Sequence, residues 1–297
     1  AGIMEHIEEA GIHSGDSACS IPPYSVNKDK QKQIVDWVSK IANEINVIGL
    51  MNTQLAIKND KIFVLEVNPR ASRTVPFVAK SRGIPIAKIA AKIMVGDLLT
   101  EVIKKYKIKE LEHFCVKESV FHFIILDCVY FILCPEMKST GEVMGIDKNF
   151  LSSFAKSQIA AGNLLPTEGN VFVSIDDTNK NKFISIARKL QNLNFNLIAT
   201  NGTADYLNKN KISATKINKV KEGNPHIVDS LIGGKIDLVI NTTKSQSSIK
   251  DSYSIRRTSL MYNIPYYTTI AGAEVAIDAI EHMQNNDFKI KSLQTLN

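Results

Sequence analysis

Hydrophobic and polar positions change their spacing near residue 170, and the second half of the chain has the more regular pattern. Short apolar runs that predict buried strands alternate there with segments of helical spacing. The predicted strands cover residues 171–175, 196–200, 215–220, 236–241 and 266–269, and the predicted helices cover 180–193, 226–232, 251–263 and 272–283, with a short helix after Gly202. Five strands that alternate with helices predict an α/β domain whose parallel sheet is covered on both faces.

The first half contains fewer regular segments. Asn27, a residue type favoured at helix N-caps, precedes apolar positions at helical spacing that continue to about Asn46. Residues 47–57 and 62–67 predict two strands, and the polar residues 58–61 between them predict a hairpin turn. This turn places the two strands side by side, so that alternate side chains of both strands lie on the same face of the hairpin.

The remaining segments indicate where domains meet. Residues 84–95 predict a helix, residues 97–117 are charged and predict helix or linker, and residues 118–160 fit no single period. Turn-forming residues at 162–169 mark a change in composition and therefore a boundary. We expect a first unit at residues 1–95, a helical or irregular connecting region at 96–162 and a second domain at 163–297.

Composition and charge exclude several classes of protein. The chain has 297 residues, 44% of them hydrophobic, which is enough for a sizeable core and about two domains. The formal net charge is +6, but its lysines are spread along the chain without a dense basic run interleaved with aromatic residues. We therefore expect no nucleic-acid partner. The excess fits either anionic substrates or an ordinary solvated lysine surface.

Cysteines and apolar runs point to a cytoplasmic protein. None of the four cysteines forms a C-x-x-C pair, so neither a zinc site nor a disulfide framework is indicated. No secretory signal opens the chain. The most apolar run, residues 121–134, contains His122 and Asp127 and is shorter than the roughly 20 residues that a membrane span needs. We expect no membrane partner.

The predicted hairpin carries the first candidate site. Glu66 and Asn68 point to the same face of their strand, and the turn places Gln54 almost opposite Glu66. Oxygen ligands of this kind suit a hard cation such as Mg²⁺. Arg70 and Arg73 follow at once, and arginine suits phosphate oxygens. The set indicates an ATP site, and the alternative is a hairpin with a polar outer face.

A polar loop at residues 11–17 carries the second candidate site. Its glycines, Gly11 and Gly15, allow the backbone to approach a ligand closely. The alternative is a plain turn. No partner for His13 is visible in the sequence, so we interpret it as a hydrogen-bonding residue rather than a catalytic base.

Strand ends in the second domain carry the third candidate site. Residues 200–203 and 241–243 lie where predicted strands end, and helix N-termini there offer free N–H groups to an anion. Lys180 and Lys219 could supply positive charge. The alternative is that the threonines only cap helices. No acid–base pair stands out, so binding is favoured over chemistry.

Several longer motifs together resemble one family, the large subunit of carbamoyl phosphate synthetase, in its C-terminal portion. The motifs extend almost from end to end of the chain. They are residues 4–8 (MEHIE), 13–19 (HSGDSAC), 49–52 (GLMN), 66–78 (EVNPRASRTVPFV), 135–145 (PEMKSTGEVMG), 219–227 (KVKEGNPHI) and 255–257 (IRR).

The resemblance implies that the first unit is the C-terminal part of an ATP-grasp domain, the second of two in the family. That unit phosphorylates carbamate with MgATP, which makes the protein an ATP-dependent carbon–nitrogen ligase. K⁺ is a further candidate cation. The implied site residues are Gln54, Glu66 and Asn68 as ligands of Mg²⁺ or Mn²⁺, with Gln54 and Glu66 also near the nucleotide, Gly11, Ile12, His13 and Ser14 as the nucleotide-contacting loop, and Arg70 and Arg73 as catalytic arginines.

The resemblance implies that the second domain is regulatory and similar in fold to methylglyoxal synthase. Bacterial relatives bind UMP or IMP there and ornithine between domains, and the domain is a candidate surface for self-association. The implied nucleotide residues are Ser174, Lys180, Thr200, Thr203, Lys219, Asn241 and Thr243, and the implied ornithine residues are Glu8, Asp16, Glu118, Tyr266 and Thr268.

The resemblance also implies partners and pathways. They are the remainder of the large chain upstream of Ala1 and a glutaminase small subunit, so we expect the 297 residues alone to make no carbamoyl phosphate. The product would serve pyrimidine and arginine biosynthesis.

Some residues depart from the family, and other interpretations stay open. Residues 121–134 are far more apolar than in relatives, and position 267 is Tyr where a bacterial relative has an acid. Residues 224–226 replace the Gly-Gly-Asp-type segment of a methylglyoxal synthase, so that activity is not expected. The alternatives are a non-catalytic nucleotide-binding regulatory module and, disfavoured by the last domain, another ATP-grasp ligase.

Overall fold

A computed structural model describes residues 1–106, 108, 110–121, 136–220, 222–242, 252–290 and 292. Thr243 and nearly all of the apolar run at 121–134 lie outside the described residues. Among the helices of the described part, none is long and apolar enough to span a bilayer.

The first 160 residues form an antiparallel sheet, a separate hairpin and several helices. The sheet has the strand order β1-β2-β5-β6, and β3 pairs only with β4 among the described strands. The elements are β1 (Glu5–His6), β2 (Cys19–Ile21), α1 (Lys28–Glu44), β3 (Asn52–Lys58), β4 (Lys61–Asn68), α2 (Val75–Arg82), α3 (Ile86–Met94), α4 (Leu99–Ile103), β5 (Phe114–Val120), β6 (Gly141–Asp147) and α5 (Phe150–Ala160).

Local sequence explains α1 and the hairpin. The Asn27 side chain accepts a hydrogen bond from the Lys30 N–H at 2.9 Å, so the predicted N-cap is confirmed. Asn59 and Asp60 form the turn with φ values of 49° and 62°, a region that Asn and Asp tolerate better than most residues. The predicted hairpin is therefore confirmed. Its first strand begins later than predicted because Gly49 takes a φ of 102°, outside strand geometry.

The second half forms the predicted five-stranded sheet. Its strand order is β11-β10-β7-β8-β9, and every neighbouring pair is parallel, so the predicted doubly wound α/β architecture is confirmed. The order reverses between β7 and β10, where such folds bind ligands. The elements are β7 (Gly169–Ser174), α6 (Lys180–Asn192), β8 (Phe195–Thr200), α7 (Asn201–Lys209), β9 (Ala214–Ile217), α8 (Ile227–Ile232), β10 (Leu238–Asn241), α9 (Tyr253–Met261), β11 (Tyr266–Tyr267) and α10 (Ile270–Asn285).

The region between the two predicted units is more regular than expected. It contains β5, β6 and α5, where the sequence predicts charged linker and no clear period. The central five residues of β5 are all buried, including Lys117, Glu118 and Ser119. A strand whose buried positions are polar shows neither alternation nor an apolar run, which is why the pattern hides it.

Helix α5 joins the two halves through one apolar core. Phe154 on α5 belongs to the same buried cluster as Val116 on β5 and Val171 on β7. The backbone of α5 also packs tightly on β6, because a Cβ on Gly145 would lie 2.0 Å from the Ser153 carbonyl oxygen. The two sheets are therefore packed against a shared helix.

Candidate functional site

The hairpin places the three predicted metal ligands together. Gln54 pairs directly with Glu66 across the two strands, and the Asn68 Nδ2 donates to Oε1 of Glu66 at 2.7 Å. A register shift after Gln54 marks a bulge, a feature that re-aims side chains. One exposed hairpin face thus presents a carboxylate and two carboxamides.

These oxygen donors fit a hard cation. Mg²⁺ and Mn²⁺ prefer carboxylate, carbonyl and water oxygens, and Mg²⁺ keeps several waters while one or two carboxylates and the substrate phosphates hold it. Within the described ranges, no group of three or more His, Cys, Asp or Glu side chains could hold a metal. The hairpin set, with its single acid, matches a shared nucleotide–metal site better than a closed protein cage.

The two arginines have different surroundings. Arg70 is exposed and its Nη1 donates to the Ala71 carbonyl at 3.0 Å. The Nη1 of Arg73 instead contacts the sulfur of Met137. The same sulfur would lie 2.9 Å from a Cβ on Gly15, so Met137 lies between Arg73 and the loop at residues 11–17. The loop and one arginine therefore share a neighbour.

The predicted nucleotide loop is held by hydrogen bonds that the sequence does not reveal. Within the loop, the Gly15 N–H donates to Nδ1 of His13 at 2.9 Å, so His13 has the hydrogen-bonding role predicted for it. The Nζ of Lys117 donates to the carbonyl oxygens of Ser14 and Gly15 at 3.1 and 3.4 Å, and Glu142 lies 3.7 Å from the same Nζ. Lys117 therefore orders the loop from the strand behind it.

Further polar contacts tie the loop to β5 and to the segment before β6. The hydroxyls of Ser119 and Ser139 donate to the Gly15 carbonyl at 2.7 and 2.8 Å. The Asp16 carboxylate accepts the N–H groups of Lys138 and Ser139, each at 2.8 Å. Lys117, Ser119 and Ser139 were missed as site residues from the sequence, although polar residues inside β5 were a signal that this strand has buried partners.

Glu118, which is buried, and Glu8, which is partly buried, form a carboxylate pair next to this loop. Glu8 accepts the Ala18 N–H at 2.7 Å, and Glu118 accepts the Ser119 N–H at 3.0 Å and the side-chain amide of Gln158. Burial raises the pKa of both carboxyls, and the charge of Glu118 raises that of Glu8 further. Such a pair attracts a cation or holds a proton.

The other residues of the predicted ornithine set are placed differently. Asp16 is hydrogen-bonded to the segment before β6, and Thr268 follows β11 directly. The Tyr266 hydroxyl accepts a hydrogen bond from Asn241, at the carboxyl ends of the parallel strands, and does not face the two carboxylates. Its neighbour Tyr267 donates to Oε1 of Gln158 at 3.3 Å, and burial and then the charge of Glu118 raise its pKa. The structure thus brings Tyr267, not the side chain of Tyr266, to the pair.

The third candidate site lies at the carboxyl ends of three adjacent strands. Ser174, Thr200 and Asn241 are the last residues of β7, β8 and β10. The Thr200 hydroxyl donates to that of Thr203 at 3.3 Å, and Thr203 accepts the Ile175 N–H at 3.1 Å. Buried hydroxyls thus surround the N-terminus of α7, which suits an anion.

The two lysines of this site have different settings. Lys180 Nζ donates to the Gly202 carbonyl at 3.0 Å and pairs with Asp177 at 2.7 Å, so it lies at the start of α7. Lys219 is exposed, and its backbone N–H donates to Glu222 at 3.0 Å. Lys180 therefore provides the positive charge at the strand ends. Thr243 lies outside the described residues.

Comparison with known families defines the class. Residues 2–102 match the family described as carbamoyl-phosphate synthase L chain, ATP binding domain, and residues 182–268 match the MGS-like domain family. The chain is therefore similar to an ATP-binding region of this type over its first third and to an MGS-like domain over residues 182–268.

Curated relatives identify the particular protein that the chain resembles, the carbamoyl phosphate synthase large chain. That of Rhizobium meliloti (strain 1021) is 51% identical over 99% of this chain, and that of Archaeoglobus fulgidus is 50% identical over 99%. The chain spans about a quarter of their length, 26% and 27%. The resemblance predicted from the sequence is confirmed. A solved methylglyoxal synthase from Elizabethkingia anophelis NUHP1 aligns to 38% of the chain and 79% of its own, with 17% identity and a TM-score of 0.30, too low to carry an argument.

Proposed function

We propose that residues 1–95 form one wall of a site that phosphorylates carbamate with MgATP. The observation that carries this proposal is the single hairpin face shared by Gln54, Glu66 and Asn68. Phosphoryl transfer needs positioned positive charge more than covalent chemistry from the protein. The relatives' name, carbamoyl phosphate synthase, supports this reaction.

The residues have distinct roles in this proposal. Glu66 supplies the charged metal ligand, while Gln54 and Asn68 supply neutral oxygens. A Mg²⁺ or Mn²⁺ held by these three side chains would neutralise negative charge on the phosphates of ATP. Arg73 and Arg70 bind the transferring phosphate, and the loop ordered by Lys117 offers backbone groups to the nucleotide.

The test uses a full-length large chain that contains this sequence. We expect Glu66→Gln to lower carbamate-dependent ATP hydrolysis by more than about 100-fold, because the only carboxylate among the three ligands is lost. Glu101→Gln is the matched control, since Glu101 is an exposed glutamate that pairs with Lys104 instead. Activity retained in Glu66→Gln would overturn the metal assignment.

We also propose that the five-stranded domain binds a nucleoside monophosphate, UMP or IMP, as a regulator. The strand-end hydroxyls, the α7 N-terminus and Lys180 support this. Glu222 links Lys219 to the same helix start, because its carboxylate accepts from the Lys219 N–H and from the Asn201 side chain. UMP at millimolar concentration is expected to raise the melting temperature of the 297-residue chain, and Lys180→Ala, which removes the charge at the start of α7, to abolish the rise. Lys209→Ala, at the far end of α7, is the control. No rise in the unmodified chain would refute the sensing role.

The partners are part of the same proposal. A glutaminase subunit would supply ammonia, and the upstream part of the large chain would supply the rest of the ATP site. The activity would be cytoplasmic, and K⁺ would be a further cation. The regulatory domain would mediate self-association. The Glu8–Glu118 pair supports an amine ligand such as ornithine. Calorimetry with ornithine on Glu8→Gln and unmodified chains tests that ligand, and equal affinities would reject it.

The second candidate function is a nucleotide-sensing module without enzyme activity. The ordered strand ends of the second domain favour it, because the sheet that carries them consists of strands β7 to β11 alone among the described residues. Carbamate-dependent ATP use by a full-length large chain that contains this sequence would exclude this alternative.

A further inference from the structure

One side chain at the proposed nucleotide site has a hydrogen-bond partner for its amide nitrogen but, among the described residues, none for its amide oxygen. Asn241 is 1% exposed, and its Nδ2 donates to the Tyr266 hydroxyl at 2.7 Å. Its Oδ1 is buried and has no hydrogen-bond partner among the described residues. A buried acceptor left unpaired is costly, so it points to a ligand that supplies the missing donor.

The position of Asn241 places this acceptor at the proposed nucleotide site. Asn241 pairs in register with Ser174, the last residue of β7. The next residue, Thr242, accepts the Asp176 N–H at 3.1 Å and ties the ends of β10 and β7 together. The unpaired oxygen therefore belongs to the same strand-end edge as Thr200.

A buried cation holds the tyrosine that holds Asn241. The Nε of Arg256 donates to the Tyr266 hydroxyl at 3.0 Å, and the guanidinium lies 5.6 Å from the centre of the ring. Arg256 is only 6% exposed. A guanidinium can only donate, so the tyrosine oxygen accepts from Arg256 with one lone pair and from Asn241 with the other.

We propose that Tyr266, held by Arg256, is a positioning residue that orients the Asn241 carboxamide so that Oδ1 accepts a hydrogen bond from the bound nucleotide. The inference rests on the proposed nucleotide function and adds to it a hydrogen bond that recognises the sugar or the base. The donor is a sugar hydroxyl or a base N–H, because a phosphate that is mostly dianionic offers acceptors instead. The phosphate belongs with Lys180 and the α7 N-terminus.

The chain offers a matched control in the next residue. Successive side chains of a strand point to opposite faces, and the Tyr267 hydroxyl donates to Gln158 beside the carboxylate pair. Tyr266→Phe and Tyr267→Phe therefore each remove one buried hydroxyl from the same two-residue strand. Only Tyr266→Phe removes a hydroxyl that contacts Asn241.

The experiment measures UMP affinity of the 297-residue chain by calorimetry. We expect Tyr266→Phe to raise Kd roughly three- to tenfold, as for the loss of one hydrogen bond, and Tyr267→Phe to leave it within about twofold. An unchanged Kd in Tyr266→Phe would overturn the positioning role alone. Absence of UMP binding by the unmodified chain would overturn the nucleotide function and this inference with it.

A double-mutant cycle separates positioning from a general loss of structure. Asn241→Ala is expected to weaken UMP binding, and adding Tyr266→Phe to it should cause no further loss, because Tyr266 acts through Asn241. Additive losses would contradict the inference. Melting temperatures without ligand show whether each variant is folded. If Tyr266→Phe is unfolded, an unchanged UMP affinity in Asn241→Ala is the result that rejects the inference.

Discussion

At the scale of single residues, Lys117 is the clearest case of a side chain whose role differs from its type. Lysine is normally exposed, yet this side chain is 1% exposed. A buried ammonium is tolerated only when it is paired and hydrogen-bonded. Two loop carbonyls and the Glu142 carboxylate meet that condition. The lysine therefore converts a glycine-containing loop into a fixed surface.

Replacing Lys117 by Met removes those hydrogen bonds while keeping the aliphatic stem. We expect the free energy of unfolding to fall by about 3 kcal/mol, because carbonyls and a carboxylate lose a buried partner. Urea denaturation of the 297-residue chain measures this. Lys88→Met, at an exposed position of α3, should change it by less than about 0.5 kcal/mol. Equal effects of the two substitutions would show that the loop does not depend on Lys117.

The Glu8–Glu118 carboxylate pair makes stability depend on pH. Burial raises the pKa of Glu8 and Glu118 in the folded chain above the ordinary value of 4.5, so the folded state binds more protons. Their contribution to stability therefore falls as pH rises from 4.5 towards the raised pKa values. His6 acts oppositely below its ordinary pKa of 6.5, because burial lowers its pKa to about 4.

Glu8→Gln isolates the contribution of the pair. We expect the variant to be more stable than the unmodified chain near pH 8, and the difference to shrink as pH falls towards 5. The sign follows because the Gln side chain is neutral at every pH. Glu8 instead loses its proton as pH rises, and its negative charge is then desolvated beside Glu118. Urea denaturation at several pH values measures the difference, and a difference that grows on acidification would refute the assignment.

The candidate site was only partly predictable at this scale. Gln54, Glu66 and Asn68 could be grouped because strand alternation and one turn determine which side chains meet. Lys117 could not be found in this way, because the loop carbonyls that it contacts lie more than 100 positions earlier in the chain. Local spacing contains no information on such distant contacts.

At the scale of elements, the contact between β6 and α5 depends on one glycine. A Cβ on Gly145 would lie 2.0 Å from the Ser153 carbonyl and 2.5 Å from the Ser157 nitrogen, both backbone atoms that cannot rotate away. We expect Gly145→Ala to lower the melting temperature by more than 5 °C, as about 2 kcal/mol or more of strain would. Gly141→Ala on the same strand is the control, because its Cβ would meet its nearest atom at 3.9 Å. Calorimetry compares them, and equal melting temperatures would contradict the close packing.

The elements themselves were predictable where a single periodicity dominates. The alternation of apolar strands and amphipathic helices after residue 169 gave the parallel sheet, because both faces of its strands are covered. β5 was not predictable. Its buried Lys117, Glu118 and Ser119 are satisfied by tertiary partners, so its sequence resembles an exposed segment.

At the scale of the whole molecule, one apolar core runs through both sheets. Ile7, directly after β1, and Val116 of β5 share a cluster with Val171 of the parallel sheet and Phe154 of α5. A shared core couples the unfolding of the elements that it joins. Strand β5, which carries Glu118, and strand β7, at the proposed nucleotide site, should therefore open together.

Phe154→Ala tests this coupling. The ring is 1% exposed, so its removal should lower the free energy of unfolding by about 3–5 kcal/mol. Hydrogen exchange should then show faster exchange of the amides of both β5 and β7, because Phe154 packs in the cluster that both share. Phe63→Ala, at a side chain that is 47% exposed, should leave both strands protected. Faster exchange in β7 with β5 unaffected would mean that the two sheets unfold independently. The proposed nucleotide binding at the parallel sheet could not then be coupled to the antiparallel sheet through this core.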